Sequence, residues 1–179
     1  FKELSGKTAL IVGWGHVGQI FGKMLRDVFD MSVLVFSPRA DAQAVSQAGG
    51  QRQDNLLGAL AFADVVSLHA QLRPQTERMI GKQELAALKP GAILINTARA
   101  DLIDEYELVK ALDDGRVFAA GLDLQQPGNR FIGRGDVVLT PHLGGTTEEC
   151  GRRTAIEAAE AVIDILNGRP PAPPLSSAP

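Results

Sequence analysis

A glycine triplet that directly follows a short apolar run constrains the fold of this chain more than any other feature. Gly13, Gly15 and Gly18 form the pattern G-x-G-x-x-G immediately after residues 8–12, which have the apolar character of a buried strand. The residues around and after the triplet carry an apolar stripe at helical spacing, made of Val17, Ile20, Phe21, Met24, Leu25 and Val28. The pattern therefore predicts a strand, a tight turn and a helix, which is the context in which such a triplet binds dinucleotide phosphates.

Each glycine of the triplet has its own expected role. Gly13 permits the tight turn, Gly15 lets the backbone approach a pyrophosphate, and Gly18 lets the helix pack closely on the strand. His16 and Val17 fall in the first turn of the predicted helix, where free N–H groups and the positive end of the helix dipole favour phosphate. The alternative is a glycine-rich turn between a strand and a helix that binds no ligand.

Short apolar runs alternate with amphipathic stretches along the rest of the chain. Further strands are expected at residues 33–36, 64–68, 92–95, 117–120 and 137–139. Asp104, with Glu107 three residues later, is expected to cap a helix that Gly115 ends. A last helix is expected over residues 147–166.

This alternation is typical of a doubly wound, mostly parallel α/β sheet, which is a Rossmann-type fold. We predict one such domain over residues 1–168. Residues 169–179 are proline-rich and unsuited to packing a core, so a linker or a disordered tail is expected there. Because the chain opens without Met, at Phe1, and runs almost directly into a strand, it is expected to be part of a longer protein.

The composition argues against several classes of function. A net charge of -3 gives no electrostatic basis for binding nucleic acid or an anionic membrane. Cys150 is the only cysteine, which rules out an intrachain disulfide and a multi-cysteine metal site, and no metal site is expected. The apolar runs are all far shorter than the roughly 20 residues that span a bilayer. A cytoplasmic setting is expected.

The end of the second predicted strand bears on the choice of cofactor. A carboxylate at this place would bond the ribose 2′-hydroxyl of NAD, but the chain has Ser37, Pro38 and Arg39 instead. A hydroxyl and a guanidinium can accept a 2′-phosphate, which a carboxylate would repel. NAD(P) is therefore the expected cofactor, with a lean toward NADP, unless Arg39 is only a solvated loop charge.

Polar and small residues follow four of the predicted strands. Because ligands of open parallel sheets bind outside the carboxyl ends of the strands, these residues are expected to surround one crevice. They are His69, Ala70, Gln71 and Leu72; Asn96, Thr97, Ala98 and Arg99; Asp123; and Thr140, Pro141, His142, Leu143, Gly144 and Gly145. Thr76, further along the chain, is a further expected cofactor contact. We predict that this crevice holds the cofactor.

At these positions the chain resembles a known family. Asn96-Thr97-Ala98-Arg99, Ile103-Asp104-Glu105, Gly121-Leu122-Asp123 and residues 138–145 are similar to consecutive signatures of the D-isomer-specific 2-hydroxyacid dehydrogenases. The stretch from His69 to Thr76 resembles the family's segment after its fourth strand. The likeness runs from about residue 4 to residue 168, nearly the whole chain.

The resemblance implies a role for three of these side chains. Arg99 would orient the substrate carboxylate and polarise its carbonyl, and Asp123 would hold the nicotinamide carboxamide. His142 would donate a proton to the carbonyl oxygen as hydride arrives, a step that suits a side chain titrating near neutrality. The alternatives are that Arg99 is a surface ion-pair partner and His142 a helix-entry residue. For His69 a structural or adenine-side role is favoured.

The chain departs from the family pattern in three respects. Gln126 stands where the family carries a Glu that pairs with the catalytic His, and Ala100 replaces the usual Gly after the catalytic Arg. Most of the substrate-binding domain that the family carries is absent from this sequence. The isolated chain is therefore expected to bind dinucleotide without turnover.

Three functions are compatible with these residues. The leading hypothesis is the cofactor domain of an enzyme that reduces a 2-keto acid to a D-2-hydroxy acid, as a homodimer. The second is formate-dehydrogenase-like oxidation, since formate dehydrogenases of the superfamily also use Gln-Pro at the position of Gln126. The third is a dinucleotide-sensing interaction protein, like the C-terminal-binding-protein corepressors of this fold.

Overall fold

The computed structural model describes residues 3–123 and 130–171. Within these residues the strands are β1 (Thr8–Val12), β2 (Ser32–Phe36), β3 (Gln51–Gln53), β4 (Val65–Leu68), β5 (Ala92–Asn96), β6 (Val117–Asp123) and β7 (Val137–Thr140). The α-helices are α1 (His16–Asp27), α2 (Ala42–Gln47), α3 (Leu56–Leu60), α4 (Lys82–Ala87), α5 (Glu105–Asp113) and α6 (Glu148–Leu166). A 3-10 turn covers Ala100–Leu102.

The chain divides into two units, Phe1–Pro141 and His142–Pro179. The first unit contains the whole described sheet and helices α1 to α5. The second contains α6, which Thr147 caps by accepting a hydrogen bond from the Cys150 N–H, and which ends before Gly168. The predicted last helix is therefore confirmed.

All neighbouring strands of the described sheet run parallel, in the order β3-β2-β1-β4-β5-β6-β7. The chain moves outward in one direction from β1 to β3 and in the other from β4 to β7. The order reverses between β1 and β4, where the loops of such sheets separate and leave a crevice. The predicted doubly wound, Rossmann-type fold is confirmed.

The two sides of the sheet form separate apolar clusters. One contains Leu10, Val66 and Leu94, and it includes buried residues of α3, α4 and α5. The other contains Ala9, Ile11 and Val35, and it includes Leu25 of α1 and Val45 of α2. Alternate residues of the central strands thus point to opposite clusters, as expected for strands buried on both faces.

The sheet-facing side of α1 differs from the predicted apolar stripe. Gly18, Gly22 and Leu25 are buried, whereas most of the stripe is exposed, namely Val17, Ile20, Met24 and Val28. A Cβ atom on Gly18 would lie 2.3 Å from the Gly13 carbonyl oxygen, which shows how closely the helix approaches the turn. Because α1 packs closely on its surroundings, two of its three buried residues are glycines. The apolar periodicity therefore predicted the helix but not the face that is buried.

None of the helices in the described ranges is long and apolar enough to cross a membrane.

Candidate dinucleotide-binding site

The turn between β1 and α1 is built around Gly13, which has a φ of 99°. Its N–H donates to the Phe36 carbonyl at the end of β2 at 2.9 Å. On the other side, a Cβ atom at this position would lie 2.7 Å from the backbone of both His69 and Ala70. The turn is therefore held between the ends of β2 and β4, as the tight-turn role of Gly13 requires.

Gly15 is the N-cap of α1, and its surroundings differ from those of Gly13. A Cβ atom at Gly15 would meet nothing within 4 Å, so the space above its backbone is open. The first turn of α1 carries no acidic residue. The amides of His16 and Val17 have no acceptor within the helix, because the first N–H groups of any helix lack one. The free N–H groups and the positive dipole end of a helix N-terminus favour an anion such as phosphate.

The segment after β2 forms a turn closed by a hydrogen bond of 3.0 Å from the Ala40 N–H to the Ser37 carbonyl. Pro38 and Arg39 are exposed in this turn. Arg52 of β3 supports the turn, since its guanidinium donates to the Ala40 carbonyl at 3.0 Å and contacts Asp54 at 3.1 Å. Ser37 and the exposed Arg39 thus follow directly on the end of β2, to which the Gly13 N–H is bonded.

His69 follows β4 and is partly buried. Its Nε2 atom lies 3.0 Å from the Ser67 hydroxyl, and its ring contacts the Phe21 ring at a centroid distance of 5.5 Å. Burial lowers the pKa of His69 to about 4, so the ring is neutral at neutral pH. These contacts join the end of β4 to the second turn of α1.

The loop after β4 is stabilised by the Thr76 side chain. Its hydroxyl donates to the Gln71 carbonyl at 2.7 Å and accepts a bond of 2.8 Å from the Arg73 N–H. Leu72, inside this short loop, is exposed. The Thr76 hydroxyl therefore shapes the loop, whereas the Leu72 side chain is exposed.

The loop after β5 carries Thr97, Ala98 and Arg99. Thr97 and Arg99 are exposed, and the Arg99 guanidinium donates to the Ala98 carbonyl at 2.7 Å. This loop is tied to the loop after β4 by a bond of 2.7 Å from the Arg78 N–H to the Asp101 carbonyl. The two loops form one continuous wall on the carboxyl side of the sheet.

A cavity of about 450 Å³ lies between these loops and α1. It is lined by Val17, His69, Ala70, Gln71, Leu72, Thr97, Ala98 and Arg99. Many ligand sites have volumes of roughly 300–1,000 Å³ and lie at this topological position. Six predicted cofactor residues and Arg99 therefore lie together.

A second cavity of about 470 Å³ lies near the amino ends of the strands, lined in part by Lys7, Asp64 and Lys89. Lys89 pairs there with Asp64 at 2.7 Å. Because ligands of parallel sheets bind at the opposite edge, the cavity lined by Arg99 is the candidate dinucleotide site.

Asp123 ends β6 and is buried. The Thr140 hydroxyl of the neighbouring strand β7 donates to its carboxylate at 2.6 Å, which fixes the rotamer of the acid. The pair follows from the strand register, in which Asp123 lies opposite Thr140. A carboxylate held at the end of a strand can accept a hydrogen bond from an amide group of a ligand.

His142 is the first residue of the second unit and is exposed. Its φ is 58°, a conformation that non-glycine residues seldom adopt. Gly144 and Gly145 follow in the same unit and are also exposed. Gln126 lies outside the described residues.

Four residues support the site without an individual role predicted from the sequence, although Asn96 and Thr140 were expected at the crevice. Asn96 holds the loop after β5, Ser67 contacts His69, Thr140 holds Asp123, and Arg52 holds the turn after β2. Asn96 and Thr140 belong to the motifs quoted above, so their position within those motifs was an available signal. No local pattern distinguishes Ser67 or Arg52.

A parallel sheet with a glycine loop at its switch point defines the class of dinucleotide-binding domains. Residues 1–144 match the family described as D-isomer specific 2-hydroxyacid dehydrogenase, NAD binding domain. The chain belongs to this family, as the sequence resemblance implied.

Individual relatives agree with this assignment. The chain is 34% identical over 170 residues to D-3-phosphoglycerate dehydrogenase of Methanocaldococcus jannaschii, covering 93% of this chain and 32% of the relative. It is 36% identical over 172 residues to glyoxylate reductase of Thermococcus litoralis, covering 94% of this chain and 51% of the relative. The chain thus spans about half, or less, of the length of these relatives.

Solved structures show the same fold. The holo form of D-mandelate dehydrogenase from Rhodotorula graminis superposes with a TM-score of 0.90 at 27% identity, over 97% of this chain and 52% of that one. A Granulicella formate dehydrogenase superposes with a TM-score of 0.86 at 24% identity, a likeness that shows the fold alone.

Proposed function

We propose that this chain binds NAD(P) and forms the cofactor half of an enzyme that transfers a hydride between the nicotinamide and a 2-keto or D-2-hydroxy acid. The observation that carries the proposal is the open space above Gly15, two residues before Val17, which lines the same cavity as Arg99. The loop offers backbone amides to a pyrophosphate, and the cavity offers a cation to an anionic substrate. Both parts are needed for a dehydrogenase that acts on an acid.

Arg99 is proposed to bind the substrate carboxylate. Its side chain is exposed in the cavity, and a guanidinium can bind a carboxylate through two parallel hydrogen bonds. The same group polarises the adjacent carbonyl, since positive charge stabilises the oxyanion that develops there. Arg99 would therefore both orient and activate a 2-keto acid.

His142 is proposed to supply the proton. Hydride addition to a carbonyl carbon breaks the C–O π bond and leaves an alkoxide, which takes up one proton to give the 2-hydroxy acid. An imidazolium can donate that proton near neutral pH. Gln126 is proposed to take the place of the Glu that the family carries.

Asp123 and the loops around Gly13 are proposed to orient the cofactor. The bound nicotinamide supplies the hydride. The Asp123 carboxylate, fixed by Thr140, would accept a hydrogen bond from the carboxamide nitrogen. Val17, Ala70, Leu72, Thr97 and Ala98 would line the pocket that excludes water from it.

NADP is the proposed preference over NAD. Ser37 and Arg39 stand where an acid would favour NAD, and Arg39 is exposed. An exposed guanidinium beside a hydroxyl would add a charge-assisted contact to a 2′-phosphate. Arg52 supports this arrangement by holding the backbone of the turn.

The organisation of the whole protein is also a proposal. Residues 1–168 would form the cofactor domain, residues 169–179 a linker or tail, and a substrate domain would complete the cleft. The active protein would be a cytoplasmic homodimer. With one wall of the cleft alone, the chain would bind cofactor but not hold both reactants at reacting distance.

The test uses the full-length protein that carries this chain. Oxidation of NADPH or NADH is followed with glyoxylate, pyruvate, hydroxypyruvate, phenylglyoxylate and 2-ketoglutarate, and formate oxidation is assayed in parallel. Reduction of at least one keto acid, lowered about 100-fold or more by His142→Ala, is expected. Turnover of formate alone, or dinucleotide binding without reduction of any keto acid, would contradict the proposal.

A further inference from the structure

Asn96 is a fully buried polar residue at the carboxyl end of β5. Its carboxamide oxygen accepts a hydrogen bond of 3.0 Å from the Ala98 N–H. Its nitrogen donates to the Arg99 carbonyl at 2.8 Å. The Asn96 side chain thus bonds the backbone of both Ala98 and Arg99.

These bonds determine the orientation of the amide. The Ala98 N–H can only donate and the Arg99 carbonyl can only accept, so the Asn96 oxygen must face the first and its nitrogen the second. An Asp carboxylate at this position could not donate to the Arg99 carbonyl, and an apolar side chain could bond neither backbone group. Asn is therefore the side chain that fits both partners at once.

The backbone of Arg99 is fixed from two directions. Its carbonyl accepts the bond from Asn96 and a second, of 3.3 Å, from the Leu102 N–H of the 3-10 turn. Its side chain, in contrast, is exposed and lines the cavity. Immobile backbone and open side chain together are what a residue needs to hold a ligand in one orientation.

We propose that Asn96 is a positioning residue that sets the place of the Arg99 guanidinium relative to a substrate carboxylate. This inference rests on the proposed role of Arg99. Asn96 itself does not touch the substrate, since it is fully buried, and it acts through the backbone of residues 98–99. Loss of its two bonds lets Arg99 move, and misplacement by about 1 Å can reduce a rate about 100-fold.

The experiment compares a 2-keto acid with its neutral methyl ester in the full-length protein. The acid is the best substrate of the panel above, and kcat/KM is measured for both compounds. Displacement of Arg99 weakens polarisation of the ketone in both compounds, but only the acid also loses its carboxylate contact. The ratio of the two kcat/KM values therefore reports carboxylate recognition rather than general damage to the fold.

Three variants and one control are needed. Arg99→Ala tests the role of Arg99, and Asn96→Ala removes both bonds to the loop. Asn96→Ser keeps an oxygen near the Ala98 N–H but is too short to reach the Arg99 carbonyl. Leu85→Ala truncates a buried residue of α4 and controls for lost stability.

We expect Arg99→Ala and Asn96→Ala each to lower the acid-to-ester ratio about tenfold or more, with Asn96→Ser intermediate and Leu85→Ala unchanged. An unchanged ratio in both Asn96 variants, while Arg99→Ala lowers it, would overturn this inference and leave the proposed function intact. An unchanged ratio in Arg99→Ala would instead overturn the role of Arg99. If Asn96→Ala does not fold, Asn96→Ser decides the question.

Discussion

The backbone of His69 lies so close to Gly13 that a Cβ atom on the glycine would sit 2.7 Å from the His69 carbonyl carbon. The same glycine has a φ of 99°, in the region that side chains disfavour. Two independent constraints therefore act on one residue. The turn that would hold a pyrophosphate is shaped by packing against β4.

Gly13→Ala is expected to destabilise the fold by about 2 kcal/mol or more, because it combines a strained backbone with a backbone clash. Gly115→Ala is the matched control, since Gly115 has a φ of 74° but nothing within 4 Å of its Cβ position. Urea unfolding of both variants measures the difference. Equal losses of the free energy of unfolding would show that the contact with His69 carries no cost.

Gly15→Ala is expected to have the opposite profile. Because its Cβ would meet no protein atom within 4 Å, stability should stay within about 0.5 kcal/mol of the wild type. The methyl group would occupy the approach of the pyrophosphate, so affinity for dinucleotide should fall about tenfold or more. Trp14, the only tryptophan, lies in this loop and reports binding by its fluorescence. Undiminished affinity would argue against phosphate binding above Gly15.

The elements set by local pattern were predictable from the sequence. β1 has the predicted bounds, Thr8–Val12, because an apolar run ends at a glycine turn. Asp104 caps α5 as predicted, accepting hydrogen bonds from the Tyr106 and Glu107 amides. The Glu107 side chain pairs with Lys110 at 2.7 Å rather than returning to the cap, because the Asp104 N–H already donates to Ile80.

The elements set by tertiary contacts were not predictable in this way. β3 is a short polar segment, Gln51–Gln53, that becomes a strand by pairing with β2, where Leu34 lies opposite Gln51. The short helices α2, α3 and α4 were likewise not identified. In the site, the bonds of Asn96 to Ala98 and Arg99 depend on loop geometry, which residue types alone do not specify.

The cofactor preference is expected to depend on Arg39. Loss of a charge-assisted bond to the 2′-phosphate should weaken NADPH binding about tenfold or more in Arg39→Ala, with little change for NADH. Arg153→Ala, which removes an exposed charge from α6, controls for net charge. Titration of both dinucleotides measures the ratio. A clear preference for NADH that Arg39→Ala leaves unchanged would refute the lean toward NADP.

The stability of the fold is expected to fall as the pH is lowered from about 6.5 to about 4. Burial lowers the pKa of His69 to about 4, whereas a histidine in an unfolded chain has a pKa of about 6.5. Between these values the unfolded state binds the additional proton, so acid favours unfolding. The full contribution is on the order of 3 kcal/mol, reached near pH 4.

His69→Phe keeps an aromatic ring but removes the titrating imidazole. The free energy of unfolding of this variant should change less over this pH range than that of the wild type. The difference between wild type and variant in urea unfolding isolates the His69 contribution. His16→Gln, which removes an exposed histidine, serves as the control. Parallel pH profiles for the wild type and His69→Phe would show that His69 is not held neutral by burial.

Binding of a nicotinamide dinucleotide by this chain is the most direct test of the proposed function. The 179-residue chain is titrated with NADPH and with NADH while Trp14 emission and transfer to the dihydronicotinamide are recorded. We expect saturable quenching with both dinucleotides, with tighter binding of NADPH and weaker binding of both by Gly15→Ala. Absence of binding by the folded chain at about millimolar concentrations of either dinucleotide, that is, a free energy weaker than about -4 kcal/mol, would contradict the proposed function.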